Sequence, residues 1–428
     1  MSIEGKNVDF SYDLELILED FSIQFKKGHF YGILGPNGCG KTTLLNLLSG
    51  LLKIQYKHGD AGEIVINDSD IRTWSPRKTA KALAYVQQSR NGMNFDFTVK
   101  EMVLMGRYAY IDRFSNESEE DIRVVDDILT DLNLIHLAGR LYSELSGGEQ
   151  QKVIIARAIA QQAQILLLDE PTSHLDINFQ IEFMEMFQTF VKRGILVIAV
   201  LHDLNLAAQF CDKILLLKDR GIHAFGTVEE TITQENILQV YNISVVVKKN
   251  IVTNSIFITP IRNYLVGQQK TNVVKPKIHL IAGGGNAVFI LPELRGFDVS
   301  VGVVNVLDND HSLASDLGYK VISEAPFSPI SEGSANTLQE RLKSVELVLL
   351  ANIPFGNANL KNLEILFSFS GIILVIEDTP IEERDFTDGR ATELYKQICS
   401  QDRTKIIRST EDVIEQVHNS LILKKKFD

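Results

Sequence analysis

The sequence predicts an α/β protein of two successive units, the first built around a phosphate-binding loop and the second a smaller doubly wound parallel sheet. Three observations carry this. Apolar runs of strand length, such as "GILVIAVL" and "VELVLLANI", alternate with helical patterns through most of the chain, the rhythm of βαβ units with buried parallel strands. A full G-x-x-x-x-G-K-T pattern, "GPNGCGKTT", stands between a strand-like and a helix-like stretch, the context such a loop requires. The alternation breaks at "TPIRNYLVGQQKTNVVKPK", which is polar, carries two prolines and has no helical period. The expected organisation is residues 1–250, a linker over 251–276, and residues 277–428.

At 428 residues, with 45% hydrophobic and 23% charged residues, the chain can build large cores without a covalent staple. Cys39, Cys211 and Cys399 stand far apart and in no metal-binding spacing, which suits a reducing compartment. The start, "MSIEGKNVDFSY", lacks a basic-then-apolar signal pattern. The apolar runs are too short to span a bilayer, so a cytoplasmic chain is expected. The net charge of −12 disfavours a nucleic-acid partner.

The elements of the first unit follow in order. Tyr12 closes a strand-like stretch and is a candidate to stack on an adenine ring, the alternative being an ordinary strand aromatic. In the loop Gly35-Pro36-Asn37-Gly38-Cys39-Gly40, the glycines permit the turn and let amides reach phosphate oxygens. Lys41 adds a point charge, Thr42 offers a hydroxyl to Mg²⁺, and the helix entered at Thr43 aims its positive end at the anion. Cys39, beside Lys41 at a helix start, is expected to have a lowered thiol pKa. Gln88, in "LAYVQQ", could ligate the metal, with Gln87 competing for the role. The strand "AQILLLDEP" ends in Asp169, placed to hold Mg²⁺ through its water shell, and Glu170, placed to polarise an attacking water. His202, where "GILVIAVLHDL" runs out, reads as a γ-phosphate contact that orients the water.

"LSGGEQ" before the helix-like "QKVIIARAIAQ" offers Ser146, the amides of Gly147 and Gly148 and a helix start to a second phosphate contact. One phosphate loop already wraps its nucleotide from one side. The second turn can act on the opposite side when another subunit brings it, so a head-to-tail pair of chains makes two composite sites.

The ordered set "GPNGCGKTT", Gln88, "LSGGEQ", "ILLLDEP", "SHLD" and His202 resembles the ATP-binding subunits of ABC transporters. The resemblance implies a RecA-like core with an inserted helical subdomain at about residues 91–143, and ATP hydrolysis with Mg²⁺ and closure of a dimer. It also implies a role for Asp176, in "SHLD", in a loop that crosses between subunits. Glu149 stands where the family most often has Gln. The flanks "FTVKEMVLMGRYAY" and "LHDLNLAAQFCDKILLLKDRGIHAFGTVEETIT" resemble importer ATPases for iron-siderophores, haem and vitamin B12. That implies two membrane permeases facing the region from Gln88 to Tyr108, an extracytoplasmic binding protein acting indirectly, and a place on the cytoplasmic face of the membrane. The rival reading is a soluble ABC ATPase of repair or translation. The sequence lacks the long coiled-coil insertion of the former and the tandem cassettes of the latter.

In the second unit, "IHLIAGG", "VSVGVVNV", "YKVISEA", "ELVLLAN" and "GIILVIED" read as strands. Gly283, Gly284, Gly285 and Asn286 follow the first, either as a loose dinucleotide-type turn or as a tight βα turn. Asn305, Asp308 and Asp310 follow the second strand, Asn352 the fourth, and Glu377, Asp378 and Thr379 the fifth. Ligands of open parallel sheets bind at such ends, so a pocket is expected there. Its acidic balance disfavours a bare anion unless Mg²⁺ or Arg390 compensates. The unit is expected to sense a ligand, with a small enzyme acting on the imported cofactor as the rival.

Overall fold

A computed structural model describes residues 1–13, 15–54, 62–87, 96–112, 115–173, 175–250, 252–261, 276–408 and 412–424. Two compact units, Met1–Pro260 and Ile261–Asp428, make up the chain.

The first unit holds a central sheet in the order Gly221–Thr227, Lys213–Lys218, Phe30–Leu34, Leu196–Val200, Ile165–Asp169, Leu83–Val86. All neighbours run parallel except the first pair. Phe30–Leu34, Ile165–Asp169 and Leu196–Val200 are buried along their whole length, which is why they read as unbroken apolar runs rather than alternating ones. Parallel register sends the chain out of all three at one edge. Gly35, Glu170 and Leu201 leave there, and the Leu201 amide donates to the Ile33 carbonyl at 3.1 Å.

Above one face lies an antiparallel sheet ordered Glu15–Lys26, Ser2–Tyr12, Glu63–Ile66, Ser69–Asp70. Its inward residues Ile3, Val8, Phe10, Leu18 and Phe25 share a core with Leu44, Leu45, Leu47 and Leu48 of the helix Lys41–Leu48, and with Tyr31, Ile33, Leu167 and Ile198 of the central sheet. The helix behind the phosphate loop is thus held between two sheets. On the other face, Phe183, Met184, Phe187 and Phe190 of the helix Ile177–Lys192 pack on Phe30, Leu168, Val197 and Ala199.

A helical region carries its own core, in which Val99, Met102, Val103, Val125 and Leu129 meet Val153, Ala156 and Ala160. The helical subdomain expected to end near residue 143 therefore shares the helix Gly147–Ala160, because that helix buries one face in each core. Arg107, 4% exposed, joins the pieces. Its Nε donates to Asp121 Oδ1 at 2.8 Å, and its Nη1 donates to the Ala160 carbonyl at 2.9 Å and to Gln162 Oε1 at 2.8 Å.

The expected linker begins too early. Residues Ile256–Pro260 form a strand that pairs antiparallel with Val245–Lys249, and Val245 and Ile258 are buried in the core of the first unit. The rest of that stretch, residues 262–275, lies outside the described residues.

The second unit is a six-stranded sheet, parallel throughout, ordered Lys320–Glu324, Asp298–Asn305, Lys277–Ile281, Leu347–Leu350, Ile372–Ile376, Thr404–Ile407. The direction of winding reverses between Lys277–Ile281 and Leu347–Leu350, the switch point where such sheets open a crevice. The sixth strand, "TKII", was not among the expected ones. It is a half-exposed edge strand and lacks the apolar run that marks its buried neighbours.

Within the helical region, the Ser118 hydroxyl and the Arg107 guanidinium hold the Asp121 carboxyl below its ordinary range. Removing one partner of a buried ion pair costs on the order of 3 kcal/mol. Asp121→Ala is expected to lower the first thermal transition correspondingly. Because the folded-state value is depressed, this contribution is present at neutral pH and is lost as pH falls through that lowered value. Calorimetric scans at pH 7 and pH 3 check it, the gap between wild type and Asp121→Ala narrowing at the lower pH.

Candidate functional site

The phosphate loop is shaped by its backbone. Gly35 has φ 155° and Gly40, which starts the helix Lys41–Leu48, has φ 99°. A Cβ at Gly35 would lie 2.6 Å from the Leu217 carbonyl oxygen and 2.7 Å from Cys39 Sγ, so no side chain fits there. Lys41 is buried, and its Nζ donates to the carbonyls of Gly35 at 2.8 Å and Pro36 at 2.9 Å. Asn37, Gly38 and Thr42 face solvent, while Thr43 is buried with the helix. The expectation for Cys39 is corrected. Burial pushes its thiol up, and that outweighs Lys41 and the local amides.

Beside the loop, the Thr42 hydroxyl donates to Asp169 Oδ1 at 3.1 Å, and the Tyr85 hydroxyl to Oδ2 at 3.4 Å. Asp169 is 2% exposed, and burial raises its carboxyl above the ordinary range. A hydroxyl and a buried carboxylate side by side suit a hard, oxygen-seeking dication such as Mg²⁺. Gln88, the third expected ligand, lies outside the described residues. Sequence reasoning missed Tyr85, whose only signal was its place within an apolar strand.

Glu170 follows Asp169 with φ 52°, a conformation uncommon outside glycine and asparagine. The bend turns its carboxylate to His202, with Nε2 2.5 Å from Oε1. The Ser173 hydroxyl donates to Oε2 at 3.1 Å. The two residues assigned to handle water are therefore in contact, brought together from the ends of adjacent parallel strands.

The second phosphate-facing turn is a separate cluster. Ser146 caps the helix Gly147–Ala160 in a capping box: its amide and hydroxyl donate to Glu149 Oε2 at 2.9 and 2.7 Å, and it accepts from the Glu149 amide at 3.4 Å. The departure from the family's Gln is thus used locally, and the Ser146 hydroxyl lowers the Glu149 pKa. A Cβ on Gly147 would meet nothing within 4 Å, whereas one on Gly148 would strike the Phe179 ring. Gly147 is the open side of this turn. Asp176 is exposed and caps the helix Ile177–Lys192, accepting from the Phe179 amide at 3.1 Å. Tyr12 is half exposed, edge-on to Phe10 at 4.9 Å.

In the second unit the expected pocket resolves into three hydrogen-bonded clusters. Asp308 accepts from the amides of Gly284 at 2.6 Å and Gly285 at 3.2 Å, and Asp310 from those of Gly283 at 2.8 Å and Ala287 at 3.0 Å. Two carboxylates thus occupy the amides that a dinucleotide phosphate would need, which favours the tight-turn reading. Asn286 folds back on the carbonyls of Gly283 and Gly284. Asn305 donates to the Ala325 carbonyl. Asn352 exchanges two hydrogen bonds with Thr379 at 3.3 Å, and Asp378 is exposed. Arg390 pairs with Glu364 at 3.7 Å.

The chain matches two families. The ABC transporter model matches residues 18–173, and the MJ0874 family model residues 299–414. It is 33% identical over 338 residues to the cobalamin import ATP-binding protein BtuD of Halobacterium salinarum, covering 78% of this chain and 82% of that one. It is 38% identical over 239 residues to the hemin import ATP-binding protein HmuV of Pseudomonas aeruginosa, covering 55% and 90%. Among solved structures, a putative metal-chelate type ABC transporter in an inward-facing conformation matches with TM-score 0.53 and 28% identity, over 61% of this chain and 97% of that one.

Two expectations follow from the geometry. Iodoacetamide should modify Cys39 slowly at neutral pH and faster as pH rises past the ordinary thiol range, with ATP slowing it further. Mass spectrometry of the Cys39 peptide reads this, and fast labelling at pH 7 unaffected by ATP would contradict it. Millimolar NAD should leave amide exchange at residues 283–287 unchanged, while Asp308→Ala speeds exchange at Gly284 and Gly285. Protection of that turn by NAD in the wild-type chain would count against an occupied turn.

Proposed function

The chain belongs to the ATP-binding subunits of ABC transporters, and from that premise we propose that it powers uptake of an iron-siderophore, haem or cobalamin through a pair of membrane permeases. It is an ABC transporter ATPase. The cargo class is supported by two relatives whose names are those of cobalamin and hemin import proteins. The observation that carries the mechanism is the contact of Glu170 with His202 at 2.5 Å, in a chain whose second phosphate-facing turn is open at Gly147.

In this reading Lys41 exchanges the carbonyls of Gly35 and Pro36 for phosphate oxygens, and the loop amides of Gly38 to Thr43 take the rest of the charge. Tyr12 stacks on the adenine. Thr42 and Asp169, with Gln88, would hold Mg²⁺, which when bound neutralises charge building on the phosphates. Glu170 takes the proton of the attacking water and His202 fixes the orientation of that pair. Ser146, Gly147, Gly148 and Asp176 serve the nucleotide of a second copy. ATP thereby favours a closed pair of chains and hydrolysis releases it. The permeases ride on the two copies, which puts the protein at the inner face of the membrane. No helix among the described residues is long and apolar enough to cross a bilayer.

The second unit, on this proposal, senses a ligand. The carboxylates at Gly283–Ala287 support a neutral or cationic ligand over an anionic one. Titration calorimetry of the full chain with cobamides and iron chelates tests this, and absence of heat with all of them would refute it.

Glu170→Gln should keep ATP binding, cut turnover about a hundredfold or more, and trap a dimer in ATP by light scattering. Ser146→Arg should bind ATP as a monomer and fail to dimerise. Unchanged turnover in the first variant would remove the assigned base. ATP-driven dimerisation in the second would remove the composite site.

A further inference from the structure

The first unit ends in the hairpin Val245–Lys249 with Ile256–Pro260, and that hairpin is bonded to the segment just after His202. Ile258 is 2% exposed. Its amide donates to Asn205 Oδ1 at 2.7 Å, and its carbonyl accepts from Asn205 Nδ2 at 3.2 Å. One side chain thus satisfies both main-chain groups of a buried residue, as an adjoining strand would. A primary amide presents the donor and the acceptor on two separate atoms, whereas a hydroxyl has both on one oxygen and an ionised carboxylate has no donor.

Asn205 is also tied toward the site. Its own amide donates to Asp203 Oδ1 at 2.7 Å, and so does that of Leu206 at 3.1 Å. Asp203 is the next residue after His202, whose Nε2 lies 2.5 Å from Glu170. A series of short contacts therefore runs from Ile258 through Asn205 and Asp203 to His202 and Glu170. The His202 side chain is 43% exposed. Packing does not confine it, and its place depends on the main chain that carries it. The apolar contacts agree, since Ile258 and Val245 share a core with Ala207, Ala208 and Phe210. At the entry to the hairpin, Tyr241 meets the backbone of Gly35 in the phosphate loop.

We propose that Asn205 is a positioning residue for ATP hydrolysis, fastening the terminal hairpin to the main chain of His202 and so holding the imidazole against Glu170. Its side-chain bonds go to the main chain of Ile258, and it acts through His202. The inference rests on the role given to His202 above.

The test is steady-state ATP hydrolysis by the full chain with Asn205→Ala, His202→Ala and the double variant. Asn205→Ala should lower kcat about tenfold, a fraction of what a misplacement of about 1 Å can cost, with KM for ATP within about twofold. In the His202→Ala background the same change should do nothing further, since the group it positions is gone. Asn205→Asp keeps the acceptor for the Ile258 amide and loses the donor, and it should fall between. It also carries the comparison should Asn205→Ala fail to fold. Equal losses in both backgrounds, or parallel changes in kcat and KM, would mean a merely structural role and overturn the inference. So would unchanged kcat in Asn205→Ala when His202→Ala is inactive. Full turnover in His202→Ala would instead overturn the role of His202 itself, and the inference with it.

Discussion

Lys41 is a buried ammonium whose described partners are two neutral carbonyls, those of Gly35 and Pro36. A buried charge is costly unless it is paired or hydrogen-bonded, and Asp169 lies near enough for the ammonium to act on its carboxyl. The ammonium is carried on a helix held between two sheets, so it cannot swing out to water. The loop before it closes over a glycine that admits no Cβ. The parallel strands beside it deliver two acids and an imidazole to the same edge. Asp169, buried and hydrogen-bonded to Thr42, supplies the complementary demand for a cation. The ammonium and the carboxylate are thus held side by side at the loop, one on main-chain carbonyls and the other on two hydroxyls.

The division of labour between the clusters follows from which strand or helix carries each. Residues on adjacent parallel strands share an edge, which is why Glu170 and His202 meet although thirty-odd positions part them. Ser146 and Gly147 sit at the head of a helix that serves two cores, and the Ser146 hydrogen bonds close on Glu149. That turn is complete as a local structure without a ligand, with Gly147 left uncovered.

Much of the first unit was legible in its sequence because its chemistry is written in contiguous stretches. A loop between strand and helix, two acids at a strand end and a capping box all declare themselves locally. What was not legible depends on partners distant in the chain. Tyr85 reaches Asp169 across neighbouring strands, and Asn205 reaches Ile258 from a helix to a hairpin that the sequence reads as linker. The direction of the Cys39 shift was misjudged because proximity to Lys41 is visible in sequence and burial is not. In the second unit the buried strands were legible from their apolar runs, and the half-exposed strand Thr404–Ile407 was not. The pairing of Asp308 and Asp310 with the glycine turn was not, since a carboxylate after one strand and amides after another look equally open until the fold closes them together.

Those two aspartates give the molecule an internal competitor. A tethered group is present at an effective concentration of about millimolar or more, and here it is already seated on the amides of Gly283 to Gly285 and Ala287. Any free phosphate compound must displace it. The strand end that in open parallel sheets receives a ligand is in this unit closed by the chain's own carboxylates.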